Sequence, residues 1–136
     1  MRLLNPLLQM RAMTIEANPG RLREAREWAR QAALDAGFDE AGCYQMRLAM
    51  SEAVANAIQH GSQARSDCIR LEAFEDDGAL VFEVRDTGTF TPRPGVPSGV
   101  EAEGGRGLEL LALMMDEVQL SSTAEGSRVR FSKRLP

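Results

Sequence analysis

Residues 46–61 read MRLAMSEAVANAIQHG, and the way this segment winds decides the fold. At 100° per residue, Met46, Met50, Ala53, Val54, Ala57 and Ile58 fall on one arc, the stripe by which a helix packs on a core. Glu52 and Asn56 fall on the opposite arc, one turn apart, with His60 a further turn on. That arc also carries Leu48, Ala49 and Ala55, small or apolar residues that a purely solvated face would not favour. Two readings therefore stand: a water-facing polar surface, or the wall of a ligand site with an apolar floor and two convergent polar groups. The residue types give the second reading chemical content. An amide oxygen is a neutral, hard donor of the kind magnesium takes, and a carboxylate four residues earlier meets it and can accept a proton from a hydroxyl.

The flanking pattern supplies the rest of a fold. Residues 11–17 (RAMTIEA) alternate as a strand and end at Asn18-Pro19-Gly20. Residues 21–35 carry Leu22, Ala25, Trp28, Ala29 and Ala32 at helical spacing, with Asn18 as N-cap, Pro19 at the first position and Gly37 as the stop. The second helix is expected from about Asp39 to His60, closed by Gly61. Strands follow at 69–74 and 80–85 across an Asp77-Gly78 turn. Residues 87–105 are rich in Gly, Pro, Ser and Thr, a loop long enough to suggest a functional lid. A third helix at 108–115 and strands at 117–122 and 127–134 complete the order β α α β β, loop, α β β. The pattern predicts one α+β domain over residues 1–136, a mostly antiparallel sheet of about five strands with three helices on one face.

Composition removes several function classes. The 136 residues are 43% apolar, enough for a core, and their net charge of −4 argues against a nucleic-acid binder. The lone histidine, His60, excludes a multi-histidine metal site; it reads as a helix-capping residue rather than an acid or base. The lone lysine, Lys133, sits three residues from the C-terminus, so neither a P-loop nor a kinase fold with an early-strand lysine can be built. Cys43 and Cys68 show no CxxC spacing and are assigned no chemistry. The opening MRLLNPLL is too short to cross a membrane, and a soluble, cytoplasmic chain is expected. Trp28 and the Leu110-Leu111-Leu113-Met114-Met115 cluster read as core. Arg21, Arg23, Arg26 and Arg30, interleaved with Glu24 and Glu27, read as a solvated face.

Two further segments bear on the site. Asp86-Thr87-Gly88 places a carboxylate at a strand end with a glycine two residues on, an ordinary turn or an acceptor for the exocyclic amine of adenine. Gly104-Gly105-Arg106-Gly107-Leu108 opens the third helix, a hinge or a place where backbone N–H groups meet an anion.

Taken in order, SEAVANAIQHG (51–61), VRDTG (84–88) and GGRGLELLALMMDEV (104–118) resemble the N, G1 and G2 boxes of the GHKL ATP-binding fold. Within it the chain is most similar to the bacterial anti-sigma-factor serine/threonine kinases, over a stretch from Ile15 to the C-terminus. The resemblance implies a Bergerat-type two-layer sandwich that binds ATP and Mg²⁺ under a lid at about residues 91–105. Its metal ligand would be Asn56 and its catalytic glutamate Glu52. Asp86, with Gly88 beside it, would hold adenine, supported by Ser127 on a late strand. Gly105, Arg106, Gly107 and Leu108 would contact phosphate, with the Arg106 guanidinium on the β- or γ-phosphate as the lid closes. Thr89-Phe90 departs from the fuller Asp-x-Gly-x-Gly form of the second box. The implied partners are a small anti-anti-sigma-type antagonist protein and a sigma factor, in a homodimer without nucleic-acid or membrane contact. The rival reading is a nucleotide-gated binding module that sequesters a partner without phosphoryl transfer. Retention of Glu52 favours the kinase.

Overall fold

The computed structural model describes residues 10–61, 67–86, 105–123 and 126–136. Its elements are β1 (Arg11–Glu16), α1 (Leu22–Asp35), α2 (Glu40–Asn56), β2 (Cys68–Asp76), β3 (Ala79–Asp86), α3 (Gly105–Met114), β4 (Glu117–Thr123) and β5 (Gly126–Arg134). The five strands lie in the order β1-β2-β3-β5-β4, and all four pairings are antiparallel. This is the α+β architecture expected from the alternating pattern.

Local chemistry sets the element boundaries. Asn18 caps a short 3₁₀ turn (Pro19–Arg21) rather than α1 itself, its Oδ1 accepting from the Gly20 N–H at 3.0 Å. α1 ends where Gly37 enters the left-handed region at φ 97°. The Phe38 N–H then donates to Ala33 and the Gly37 N–H to Leu34, a Schellman closure that satisfies carbonyls the helix leaves over. Asp39 caps α2 at once, accepting from the Gly42 N–H at 2.8 Å. The β2–β3 hairpin turns on Asp77 (φ 50°) and Gly78 (φ 76°), two positive φ values in succession that favour this dipeptide. α2 stops winding regularly at Asn56, four residues short of the expected end. Ala57–Gly61 form a π-helical turn packed against β3 and β5.

Strand alternation divides the sheet into two faces. Ile69 and Leu71 of β2, Leu80, Phe82 and Val84 of β3, and Val129 and Phe131 of β5 are buried on the side that meets the helices. Phe82 is central: it stacks on Phe131 at 5.5 Å and takes the Trp28 ring edge-on at 5.9 Å, which gives Trp28 the packing role its spacing predicted. α2 lies between α1 and α3 in the helix layer. Its buried stripe is Met46, Ala49, Met50, Ala53 and Val54. Ala49 therefore belongs to the core and not to the polar arc where the wheel placed it, because with Ala at this position the stripe widens towards α1 or α3 at no steric cost. The third-helix cluster divides similarly: Leu111 and Met115 are buried, whereas Leu110 and Leu113 are exposed, the latter at 84%.

An ion pair ties the first strand to the end of the first helix. Arg11 meets Asp35 at 2.6 Å, with both side chains mostly buried, and that guanidinium holds the Asp35 carboxyl below the usual carboxylate range. A lowered folded value stabilises the native state above the unfolded value, about 4, and the benefit is lost as pH falls through the folded value. Urea unfolding should therefore show wild type more stable than Asp35→Asn at pH 7, with the gap closing below about pH 4. A gap that stays constant down to pH 2 would contradict this coupling.

Candidate functional site

Three parts of the fold carry the expected site residues. The first is the polar side of α2. Glu52 and Asn56 are both half-buried there, as are Leu48 and Ala55 beside Glu52 on the wheel. A face turned wholly to water would leave the long Glu52 side chain exposed, so this side of α2 is a partly covered wall of mixed polarity. The π-helical turn after Asn56 leans on β3 and β5, which brings this end of α2 to the sheet strands that carry the second part of the site.

That second part is the rim where β3 and β5 lie side by side. Asp86 is the last residue of β3 and only 4% exposed, with Oδ2 closed off from solvent. It continues the Leu80, Phe82, Val84 alternation, so it points to the helix side. The final β3–β5 pair is Arg85↔Arg128, and one step further along the same register lie Asp86 and Ser127. Ser127, half-buried, shares the face of Val129 and Phe131. The structure thus sets the acidic acceptor and the late-strand serine beside each other on adjacent strands. About forty residues of sequence separate them, and no local pattern announces the pairing.

The third part is the first turn of α3, formed by Gly105, Arg106, Gly107 and Leu108, on a helix that packs along α2. The N–H groups of a first helical turn have no intrahelical acceptor and, with the helix dipole, favour an anion. Lys133 is committed at the other end of the same helix, where its Nζ donates to the Met114 carbonyl at 3.3 Å. The one lysine therefore serves as a C-terminal cap and is directed away from the α3 N-terminus. Gly88 and the proposed lid up to residue 104 lie outside the described residues, as do the His60 and Arg106 side chains.

The donor set fits a magnesium nucleotide. A half-buried amide oxygen at Asn56 suits a hard cation that keeps phosphate and water ligands. A carboxylate shielded from water at Asp86 is a strong, directional acceptor for an amine. Among the described residues no three His, Cys, Asp or Glu side chains cluster as a metal cage, so a cation at Asn56 would complete its shell from the nucleotide and solvent. None of the described helices is long and apolar enough to cross a membrane.

Comparison with known proteins identifies the family and the fold. Residues 15–133 match the model of the family described as "Histidine kinase-like ATPase domain". An anti-sigma F factor of Clostridium botulinum (strain Eklund 17B / Type B) is 31% identical over 117 residues, spanning 76% of this chain and 77% of the relative. The serine-protein kinase RsbW of Bacillus licheniformis is 30% identical over 115 residues, spanning 72% and 70%. Among solved structures, the RsbU and RsbW domains of a Mycobacterium tuberculosis protein superpose with a TM-score of 0.71 at 22% identity. They cover 93% of this chain, which spans 32% of that longer one. The fold and the family match define an ATPase domain of the GHKL class. The chain belongs to the histidine kinase-like ATPase family, and its curated relatives are anti-sigma factors and serine-protein kinases.

Neither cysteine belongs to this site. Cys43 is buried, its Sγ 3.6 Å from the Phe38 carbonyl, and burial pushes its thiol up; Cys68 is exposed. Because the thiolate is the reactive form, a disulfide reagent should modify one thiol quickly in the folded protein and two in urea. Fast reaction of both thiols in the native state would contradict the burial of Cys43.

Proposed function

We propose that this protein is an Mg-ATP-dependent serine/threonine kinase and anti-sigma regulator that phosphorylates a small antagonist protein. The observation that carries the reading is the placement of Glu52 and Asn56 one turn apart on a half-buried helix side, in a fold whose relatives are named as serine-protein kinases. Bound Mg-ATP supplies the transferable phosphoryl group and neutralises the charge that develops on it. Asn56 would offer its amide oxygen to the metal. Asp86 accepts the amine of adenine, with Ser127 beside it and Gly88 leaving room for the base. The first-turn amides of Gly105, Arg106, Gly107 and Leu108 would hold phosphate, and the Arg106 guanidinium would add a charged contact to it. Glu52 takes the proton of the incoming serine or threonine hydroxyl at its carboxylate.

The partner reading extends from the relatives. An anti-anti-sigma-type antagonist is the phosphoacceptor, a sigma factor is the sequestered client, and the enzyme acts as a homodimer in the cytoplasm. The lack of any CxxC spacing between Cys43 and Cys68 supports a reducing setting. Sedimentation equilibrium should give twice the 14.9 kDa chain mass; a monomer at tens of micromolar would remove the dimer from the account.

The decisive assay incubates the protein with Mg²⁺, radiolabelled ATP and antagonist domains encoded in the same genome. Glu52→Ala should lower label transfer at least about a hundredfold while leaving nucleotide affinity within about threefold. Transfer undiminished by the substitution would exclude Glu52 as the base. Nucleotide binding without transfer to any antagonist would favour a sequestering module instead.

A further inference from the structure

The helix whose first turn would receive phosphate is lightly seated along its length. Among the described side chains of α3, residues 109–114, only Leu111 is buried, and Leu113 stands 84% exposed. The corner that follows holds the helix more firmly. Met115 and Asp116 alone separate α3 from β4, and three hydrogen bonds tie this corner to the end of β5. Lys133 Nζ donates to the Met114 carbonyl at 3.3 Å, the Asp116 N–H donates to the Ser132 carbonyl at 2.9 Å, and Asp116 Oδ2 accepts from the Arg134 N–H at 2.7 Å. β5 is itself fixed from both faces of the sheet. On the helix side Phe131 stacks on Phe82. On the other side Arg128 and Arg130 join Arg70 and Arg85 over the buried carboxylates of Glu72 and Glu83.

We propose that Lys133 is a positioning residue for phosphate: by fastening the C-terminal end of α3 to β5, it sets where the amides of the opposite end point. The inference rests on the reading of the Gly105–Leu108 turn as the phosphate holder. Of the three clamping bonds, only the one from Lys133 reaches a group of α3 itself; the two at Asp116 hold the link beyond it. The last carbonyls of a helix have no intrahelical donor and carry the negative end of its dipole, so an ammonium there answers both needs. Ten residues make α3 a rod about 15 Å long. A tilt of about ten degrees at the clamped end would swing the first turn by about 2.6 Å, close to a whole hydrogen-bond length. Lys133 thus acts on the nucleotide from the far end of the helix, without touching it.

The test compares the full chain as wild type, Lys133→Met and Lys133→Arg, by calorimetry of Mg-ATP and a nuclear magnetic resonance titration of adenosine. Methionine keeps an unbranched apolar stem and loses the donor, whereas arginine restores a charged donor. Lys133→Met should weaken ATP binding at least about fivefold and leave adenosine within about twofold, since the base is read at Asp86 on β3. Lys133→Arg should recover most of the ATP affinity. Without nucleotide, amide exchange over residues 110–115 should quicken at least about fivefold in Lys133→Met, with β2 and β3 as in wild type. Equal ATP affinity in wild type and Lys133→Met, or unchanged exchange in α3, would overturn the proposal. So would a parallel loss of ATP and adenosine, which marks a merely structural role, or failure of arginine to restore binding. A wild type that binds no ATP would remove the nucleotide reading and this proposal with it. Wild-type binding left intact in Lys133→Met removes this proposal alone.

Discussion

The seating of α2 on the sheet is the contact on which the rest of the site depends. Met46, Ala49, Met50, Ala53 and Val54 are fully buried in one core with Ile69, Leu71, Phe82 and Phe131. Burying side chains such as Met46, Met50 and Val54 is worth about 1.5–3 kcal/mol each, more than the few tenths by which helix propensities differ at a position. Packing therefore fixes the rotation of the helix about its axis. Once the stripe is seated, Glu52 and Asn56 have one direction left, the half-buried side of the helix. A shift of one residue in that stripe would turn Asn56 into the core.

The sheet supplies the second constraint. Since the side-chain period of a strand is two, a one-residue slip between β3 and β5 would carry Asp86 to one face and Ser127 to the other. The register is held from the far end. The Asp77-Gly78 turn fixes β2 against β3, Leu135 donates to the Gly78 carbonyl at 2.9 Å, and Phe82 stacks on Phe131 midway. The same register lines up Arg85 with Arg128 and Glu83 with Arg130 on the opposite face. One pairing thus serves two surfaces, an inner rim that seats Asp86 and Ser127 side by side and an outer layer of ion pairs.

Much of this was legible in the sequence because the signals are local. The alternation of residues 80–85, the Asp77-Gly78 turn, the Asn18, Gly37 and Asp39 punctuation and the Met46–Val54 stripe each state their own structure. What escaped depends on tertiary packing. Ala49 reads equally well as polar-side or core, since alanine fits either, and only the neighbouring helices decide. The π-helical turn at Ala57–Gly61 leaves the 100° spacing that a wheel assumes, so the expected straight run to His60 ends at Asn56. Leu110 and Leu113 read as core through their apolarity, yet they lie on the outward side of α3. The adjacency of Asp86 and Ser127, and the arginine roof over Glu72 and Glu83, arise from strand pairings between distant segments. For the site residues themselves, chemistry at a spacing suggested roles for Glu52 and Asn56, whereas Ser127 had only a two-residue match to stand on.

Kinase function on this fold requires that an adenine nucleotide be held without lysine, through an amide oxygen on α2 and a carboxylate at the end of β3. Isothermal calorimetry of ATP, with and without Mg²⁺, on wild type, Asn56→Ala and Asp86→Ala tests this most directly. The expected result is saturable heat in wild type, a dependence on Mg²⁺ that Asn56→Ala abolishes, and at least about tenfold weaker binding in Asp86→Ala under either condition. Absence of heat in wild type with Mg²⁺ present, or variants that bind as wild type does, would contradict it.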